Sequence, residues 1–130
     1  MKAAGAVLIG ITAMPNLGLS VYCDDSACGG IVSNPHDIRR ICGGSGSGEG
    51  AQIAAGGSIF GIGNDVGTSL LISAHMCGIM ALKPTNFPSH LIPTDGIRPI
   101  PLNGQMVTNG PLFRQAWDLP ILLSVNFNLI

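Results

Sequence analysis

The stretch from Gly43 to Ser69, GGSGSGEGAQIAAGGSIFGIGNDVGTS, constrains this chain more than any other. It contains two glycine-rich turns, each carrying serine, joined by an apolar segment with the makings of a helix followed by a strand. Glycine accepts positive φ and lets backbone approach closely, so turns of this kind gather N–H groups and small hydroxyls in one place. The pattern predicts that Ser45 and Ser69 meet at one site.

A chain of 130 residues holds one domain with a sizeable core and not two. Its charged residues amount to 10%, against roughly 25% in ordinary globular chains, while hydrophobic residues reach 46%. So few charges cannot solvate the surface of a free-standing domain, so much of that surface is expected to be covered by other polypeptide. A small, complete α/β domain is the alternative. Six Lys and Arg, none clustered, against a net charge of −1 leave no phosphate-neutralising stripe, which argues against nucleic-acid binding.

Cys23, Cys28, Cys42 and Cys77 form no CxxC pair. Cys23 and Cys28 flank an acidic turn and could bridge only in an exported chain; reduced thiols are the default. A metal site with His36 or His75 has no ligand spacing behind it, and no cofactor is indicated.

Met1-Lys2 followed by AAGAVLIGITA has the outline of a short secretory signal. A single lysine, no small-residue cleavage pattern and interruptions at Gly5 and Gly10 favour a strand instead. Ala6–Thr12 is then a β-branched and aliphatic run of the kind covered on both faces, as in parallel sheets. No apolar run approaches the length of about 18 residues that a transmembrane helix needs.

Pro15, Asn16 and Gly18 end that strand, and the polar, turn-rich segment Ser20–Cys42 reads as a loop on the surface or over a site. Ala51–Ala55 follows as a helix, Ile59–Gly63 as a strand, Asn64–Ser69 as the second turn, Leu70–Met76 as a helix and Gly78–Leu82 as a strand. Prolines leave 86–109 as an extended loop. Leu112–Val125 has helical spacing, kinked or ended at Pro120. The fold class predicted is α/β, a mixed sheet core with flanking helices.

Glycine-rich loops before helices invite a nucleotide reading. The phosphate-loop Gly-Lys-Ser/Thr ending is absent, and Gly61, Gly63 and Gly67 place the third glycine one residue too far for the dinucleotide fingerprint. A nucleophile elbow is absent too, because none of Ser45, Ser47 and Ser69 has glycine two residues away on both sides. His36, His75 and His90, with Asp37, Asp65 and Asp95 as orienters, have nothing tying them to a serine.

What the residues do resemble is the amidase signature family, and within it the fatty acid amide hydrolases. The resemblance rests on Gly43-Gly44-Ser45, Glu49-Gly50-Ala51, Asp65-Val66-Gly67-Thr68-Ser69 and Cys77-Gly78-Ile79-Met80-Ala81-Leu82-Lys83-Pro84-Thr85, ungapped from Gly43 to Thr85. Gly5-Ala6-Val7 with Thr12 and Pro15, Asn34-Pro35, and Gly110-Pro111 with Arg114 also match family positions. The whole chain, 1–130, thus looks like part of a single amidase signature domain, and an incomplete one.

The resemblance implies that Ser69 is the nucleophile on an amide carbonyl and Ser45 the bridging serine that relays its proton. The backbone N–H groups of Val66, Gly67, Thr68 and Ser69 would form the oxyanion hole, and the base would be a neutral lysine, a Ser-Ser-Lys variant of triad logic. In the family that lysine precedes the strand matched by Ala6–Thr12, so it is expected outside this chain, as is the C-terminal part of the domain. Lys2 matches a non-catalytic position, and Lys83 belongs to the Leu-Lys-Pro-Thr motif.

Four positions depart from the family pattern. Gly46 stands where a second serine is common, Thr68 replaces glycine beside the nucleophile, and Leu71 and Ser73 replace arginine and proline. The implied activity is hydrolysis of carbon–nitrogen bonds in fatty acid amides through an acyl-serine intermediate, with a small lipid amide as substrate. The chain alone is expected to be inactive, and a truncated, non-catalytic remnant or an incomplete gene model is the alternative. Membrane-surface association, homodimerisation of a full-length form and an intracellular location are further expectations of the resemblance.

Overall fold

In a computed structural model the structure describes residues 1–25, 29–85 and 107–126. Four short strands come first: β1 (Asp24–Asp25), β2 (Gly30–Ile31), β3 (Ser33–Asn34) and β4 (Asp37–Ile41). They are followed by α1 (Ser47–Ala54), β5 (Phe60–Asp65), α2 (Ser69–Cys77), β6 (Met80–Ala81), β7 (Thr108–Phe113) and α3 (Leu119–Asn126). The result is α/β, with every described strand pairing antiparallel.

β5, β7 and β6 form the main sheet, in that order, with Phe60 opposite Phe113 and Asp65 opposite Thr108. Side chains alternate across a strand, so Gly61, Gly63 and Asp65 share one face while Ile62 and Asn64 face out and are exposed. The inward face therefore starts with two residues that lack side chains. Glu49 of α1 lies over Gly61 and Leu70 of α2 over Gly63: a Cβ on Gly63 would come within 2.7 Å of Leu70 Cδ2, and one on Gly110, opposite Gly63, within 3.0 Å of its Cδ1. Leu70, Ile53 of α1 and Leu112 of β7 are fully buried together, with Ile79 and Ala81 packed against them.

The two helices meet along a seam of small residues. A Cβ on Gly46 would stand 3.3 Å from both the Ser69 carbonyl oxygen and Ser73 Oγ, and one on Gly50 would stand 3.1 Å from Cys77 Sγ. Gly46 and Gly50 are one turn apart, as are Ser69, Ser73 and Cys77, so two one-turn repeats interlock. Among the described residues no helix is long and apolar enough to cross a membrane.

Ala6–Thr12 is not a buried strand. No described strand pairs with it, and Val7, Leu8, Ile9 and Ile11 are 83%, 69%, 67% and 97% exposed. An apolar run signals a need for burial, but the covering face has to come from elsewhere in the structure. At its far end the segment is held where Gly48 N–H donates to the Ala13 carbonyl at 3.0 Å and Thr12 Oγ1 donates to Glu49 Oε2 at 2.7 Å.

Leu112–Val125 is not one helix either. Leu112 and Phe113 lie in β7, where alternation and pairing with β5 and β6 outweigh their helical spacing. Pro120 does not kink α3 but sits in its first turn, where its missing N–H leaves no bond unmade. Ser20–Cys42 is likewise more ordered than a loop, forming the β1–β2 and β3–β4 hairpins. Of the extended loop expected over 86–109, Thr108 and Asn109 belong to β7. Residues 86–106, with His90 and Asp95, lie outside the described residues, as does Cys28.

Candidate active site

Ser69 is the first residue of α2 and is half-buried. The turn before it runs from the end of β5, and the alternation that points Gly61 and Gly63 at the helices points Asp65 the same way. Asp65 is fully buried. Its Oδ1 accepts the Thr68 N–H at 2.7 Å and its Oδ2 the Leu70 N–H at 2.8 Å. A helix N-terminus has orphan donors and a partial positive charge, and a carboxylate answers both. Thr68, the residue in cap position, makes no side-chain cap bond of its own and has φ +81°.

These bonds sort the amides of the turn. Thr68 and Leu70 N–H are committed to Asp65, whereas those of Val66, Gly67 and Ser69 have no hydrogen-bond partner among the described residues. The resemblance implies Thr68 as a donor to an oxyanion together with the other three; in the structure the Thr68 amide is bonded to Asp65.

Ser45 lies on the facing loop and is 2% exposed. The Gly44–Ser45 peptide bond is cis, and Gly43 has φ +75°. Glycine is required at 44 because a Cβ there would run into the backbone of Ser20 and Val21. Ser47 Oγ donates to the Gly43 carbonyl at 2.6 Å and closes the loop from within. The next residue after Ser45 reaches Ser69 itself: Gly46 N–H donates to the Ser69 carbonyl at 3.4 Å, and Ser73 Oγ donates to the same oxygen at 3.0 Å. The loop bearing Ser45 is thus seated on the first turn of the helix bearing Ser69.

Among the described residues no Lys, His, Asp or Glu side chain hydrogen-bonds the hydroxyl of Ser45 or Ser69. Lys2 is exposed, Lys83 is half-buried, and neither hydrogen-bonds Ser45 or Ser69. His36 is at the other end of α2, where its Nε2 pairs with the Cys77 carbonyl at 2.9 Å. Asn34 Nδ2 donates to the Met76 carbonyl at 2.7 Å, so the β3–β4 hairpin closes the helix C-terminus as Asp65 closes its start. No group of His, Cys, Asp or Glu among the described residues could hold a metal ion. Cys42 and Cys77 are buried thiols; burial pushes the Cys77 thiol up to about 12 and raises Cys42 as well.

Two residues that shape this site escape a reading of the sequence. Asp65 stands there as an orienter for histidine and as the first residue of the resembling turn, with no contact of its own assigned; its place three residues before Thr68 in an Asx-type turn is the available signal. Ser73 reads as a loss of proline, yet its hydroxyl braces the Ser69 carbonyl.

The amidase family model matches residues 1–128. The fatty-acid amide hydrolase 2-B of Danio rerio is 36% identical over 127 residues, covering 96% of this chain and 23% of that protein. The indoleacetamide hydrolase of Bradyrhizobium japonicum is 36% identical over 127 residues, covering 96% of this chain and 27% of that protein. Among solved structures, 6-aminohexanoate cyclic dimer hydrolase complexed with substrate superposes with a TM-score of 0.80 at 35% identity, over 96% of this chain and 25% of that one. The chain spans about a quarter of the length of the curated relatives it matches. With the glycine-rich loop, the Asp65 turn and the small-residue seam all falling inside the matched span, the chain belongs to the amidase family.

Proposed function

We propose that this chain carries the serine half of an amide-hydrolysing site. Ser69 attacks the amide carbonyl, Ser45 relays its proton, and the amides of Val66, Gly67 and Ser69 receive the developing oxyanion. The observation that supports this best is the seating of the Ser45 loop on Ser69 through the Gly46 N–H, beside a turn with three uncommitted amides. Donors fixed in this way act where charge develops, and removing one costs about 2.7–4 kcal/mol in the general case. The base that takes the proton is a lysine supplied by polypeptide beyond the described residues, in a single amidase domain of which this chain is part.

Acyl transfer then runs in two steps. Ser69 Oγ forms a bond to the carbonyl carbon as its proton passes through Ser45 to the base. The amine leaves with a proton, and water hydrolyses the acyl-serine. The substrate class proposed is a fatty acid amide, met at an intracellular membrane surface. Its support is the resemblance to fatty-acid amide hydrolases; other relatives are named for different amides.

A second reading is favoured by a separate observation. Neither Lys2 nor Lys83 hydrogen-bonds Ser45 or Ser69, which favours reading the chain by itself as a non-catalytic piece. A fluorophosphonate probe tests both. Covalent labelling mapped to Ser69, lost in Ser69→Ala and cut at least about tenfold in Ser45→Ala, supports the acyl-transfer site. A folded chain that stays unlabelled has no activated Ser69 and supports the second reading instead. Labelling without steady release of ammonia from oleamide supports the second reading.

A further inference from the structure

We propose that Asp65 is a positioning residue for the Ser69 turn. Its carboxylate holds Thr68 in the left-handed region and, by taking the Thr68 and Leu70 amides, leaves those of Val66, Gly67 and Ser69 for an acyl oxygen. The inference rests on the reading of that turn as an acyl-transfer site.

The left-handed region costs little for glycine and much for a β-branched residue, whose Cβ crowds the following carbonyl. Thr68 nevertheless sits at φ +81°. A strained backbone at the edge of a site persists only where its surroundings over-determine it. At Thr68 the determinant is visible. The residue's own hydroxyl makes no cap bond, its side chain is exposed, and the polar contact on its amide is the Asp65 carboxylate at 2.7 Å. The second oxygen of that carboxylate holds Leu70, whose side chain is locked between Gly63 and Gly110 in the core. One fully buried group therefore ties the strained residue to the most rigid part of the fold. Ser69 lies between the two bonded amides, so both its φ and the aim of its N–H follow from them.

Amide hydrogen exchange by NMR on the intact chain reads the proposal directly. Thr68 and Leu70 are expected to exchange at least about tenfold more slowly than Val66, Gly67 and Ser69. Equal exchange across the turn overturns the proposal. In Asp65→Asn, one oxygen becomes an NH2 that cannot accept; Thr68 or Leu70 exchange should rise about tenfold or more while Ile53 and Leu112 stay protected. Fluorophosphonate labelling of Ser69 should fall by a similar factor.

Thr68→Gly provides the readout that a merely structural role would not move. Glycine holds the left-handed conformation unaided, so Asp65→Asn/Thr68→Gly should recover labelling to within about threefold of Thr68→Gly alone. No recovery, or loss of protection throughout the chain in both backgrounds, overturns the proposal. If Asp65→Asn alone fails to fold, the double variant is expected to fold again, and its failure to do so also overturns it. If the exchange pattern is as expected and no variant or unmodified chain labels at Ser69, the acyl-transfer reading fails and the hold of Asp65 on the turn stands.

Discussion

Gly46 donates its N–H to the carbonyl of Ser69 at 3.4 Å, and the lack of a side chain on Gly46 keeps this approach unstrained, since a Cβ would stand a tight 3.3 Å from that same oxygen. Gly43 against Ile72 and Gly50 against Cys77 continue the same close approach on either side of it.

Filling the seam one turn further along should push the helices apart. Gly50→Leu places a side chain where a Cβ is already 3.1 Å from Cys77 Sγ and 3.2 Å from the Ser73 carbonyl. Overpacking of this kind costs about 1–3 kcal/mol, more than the helix propensity gained over glycine. A thermal melt followed by circular dichroism should show a drop of several degrees; an unchanged midpoint would contradict the close packing of α1 on α2.

Leu70→Ala removes a fully buried side chain from the space above Gly63 and Gly110. A loss of about 3–5 kcal/mol is expected, a large part of the stability of a domain this size. Urea denaturation should give a much lower midpoint than Leu71→Ala, whose side chain is 41% exposed.

Ser47→Ala strips the hydroxyl that satisfies the Gly43 carbonyl inside the Ser45 loop. Leaving a buried acceptor unpaired costs about 1–3 kcal/mol. Labelling at Ser69 should fall as the loop loosens, and Ser47→Thr, which keeps the hydroxyl, should retain more of it.

Cys77 sets an alkaline limit. Its folded-state pKa, raised from 9.0 to about 12 by burial, lies above the unfolded value. The associated stability is therefore intact below pH 9.0 and is lost as pH rises toward about 12. Melting temperature should fall over that window, and less so in Cys77→Ser. At about pH 8 iodoacetamide should modify Cys42 and Cys77 only after denaturant is added.

The exposed strip Val7-Leu8-Ile9 with Ile11 should make the isolated chain self-associate. Leu8→Lys/Ile11→Lys is expected to lower light scattering without shifting the melting midpoint, because neither side chain packs on the core. Equal scattering by both proteins would place the association elsewhere.

Glycine and proline mark the bounds of α1, β5, α2 and β6 in the sequence because one opens the backbone to turn conformations and the other fixes φ and removes a donor, and such local effects survive in any fold. The same logic makes the two serine turns legible, and the motif spacing from Gly43 to Thr85 carries the family. Burial is not legible in the same way. Ala6–Thr12 reads as covered because apolar side chains call for cover, yet whether a face is supplied depends on distant polypeptide. Leu112 and Phe113 fit a helix and a strand equally, and pairing with Phe60, Gly61, Met80 and Ala81 decides between them.

The choice of donors in the Ser69 turn is likewise tertiary. Five consecutive amides from Val66 to Leu70 are equivalent on paper. They become two committed and three uncommitted ones only because sheet alternation aims Asp65 at the start of α2. Which hydroxyls and glycines exist, and at what spacing, is a property of the sequence; which of them touch, and which hydrogen bonds are already taken, follows from packing between residues far apart along it.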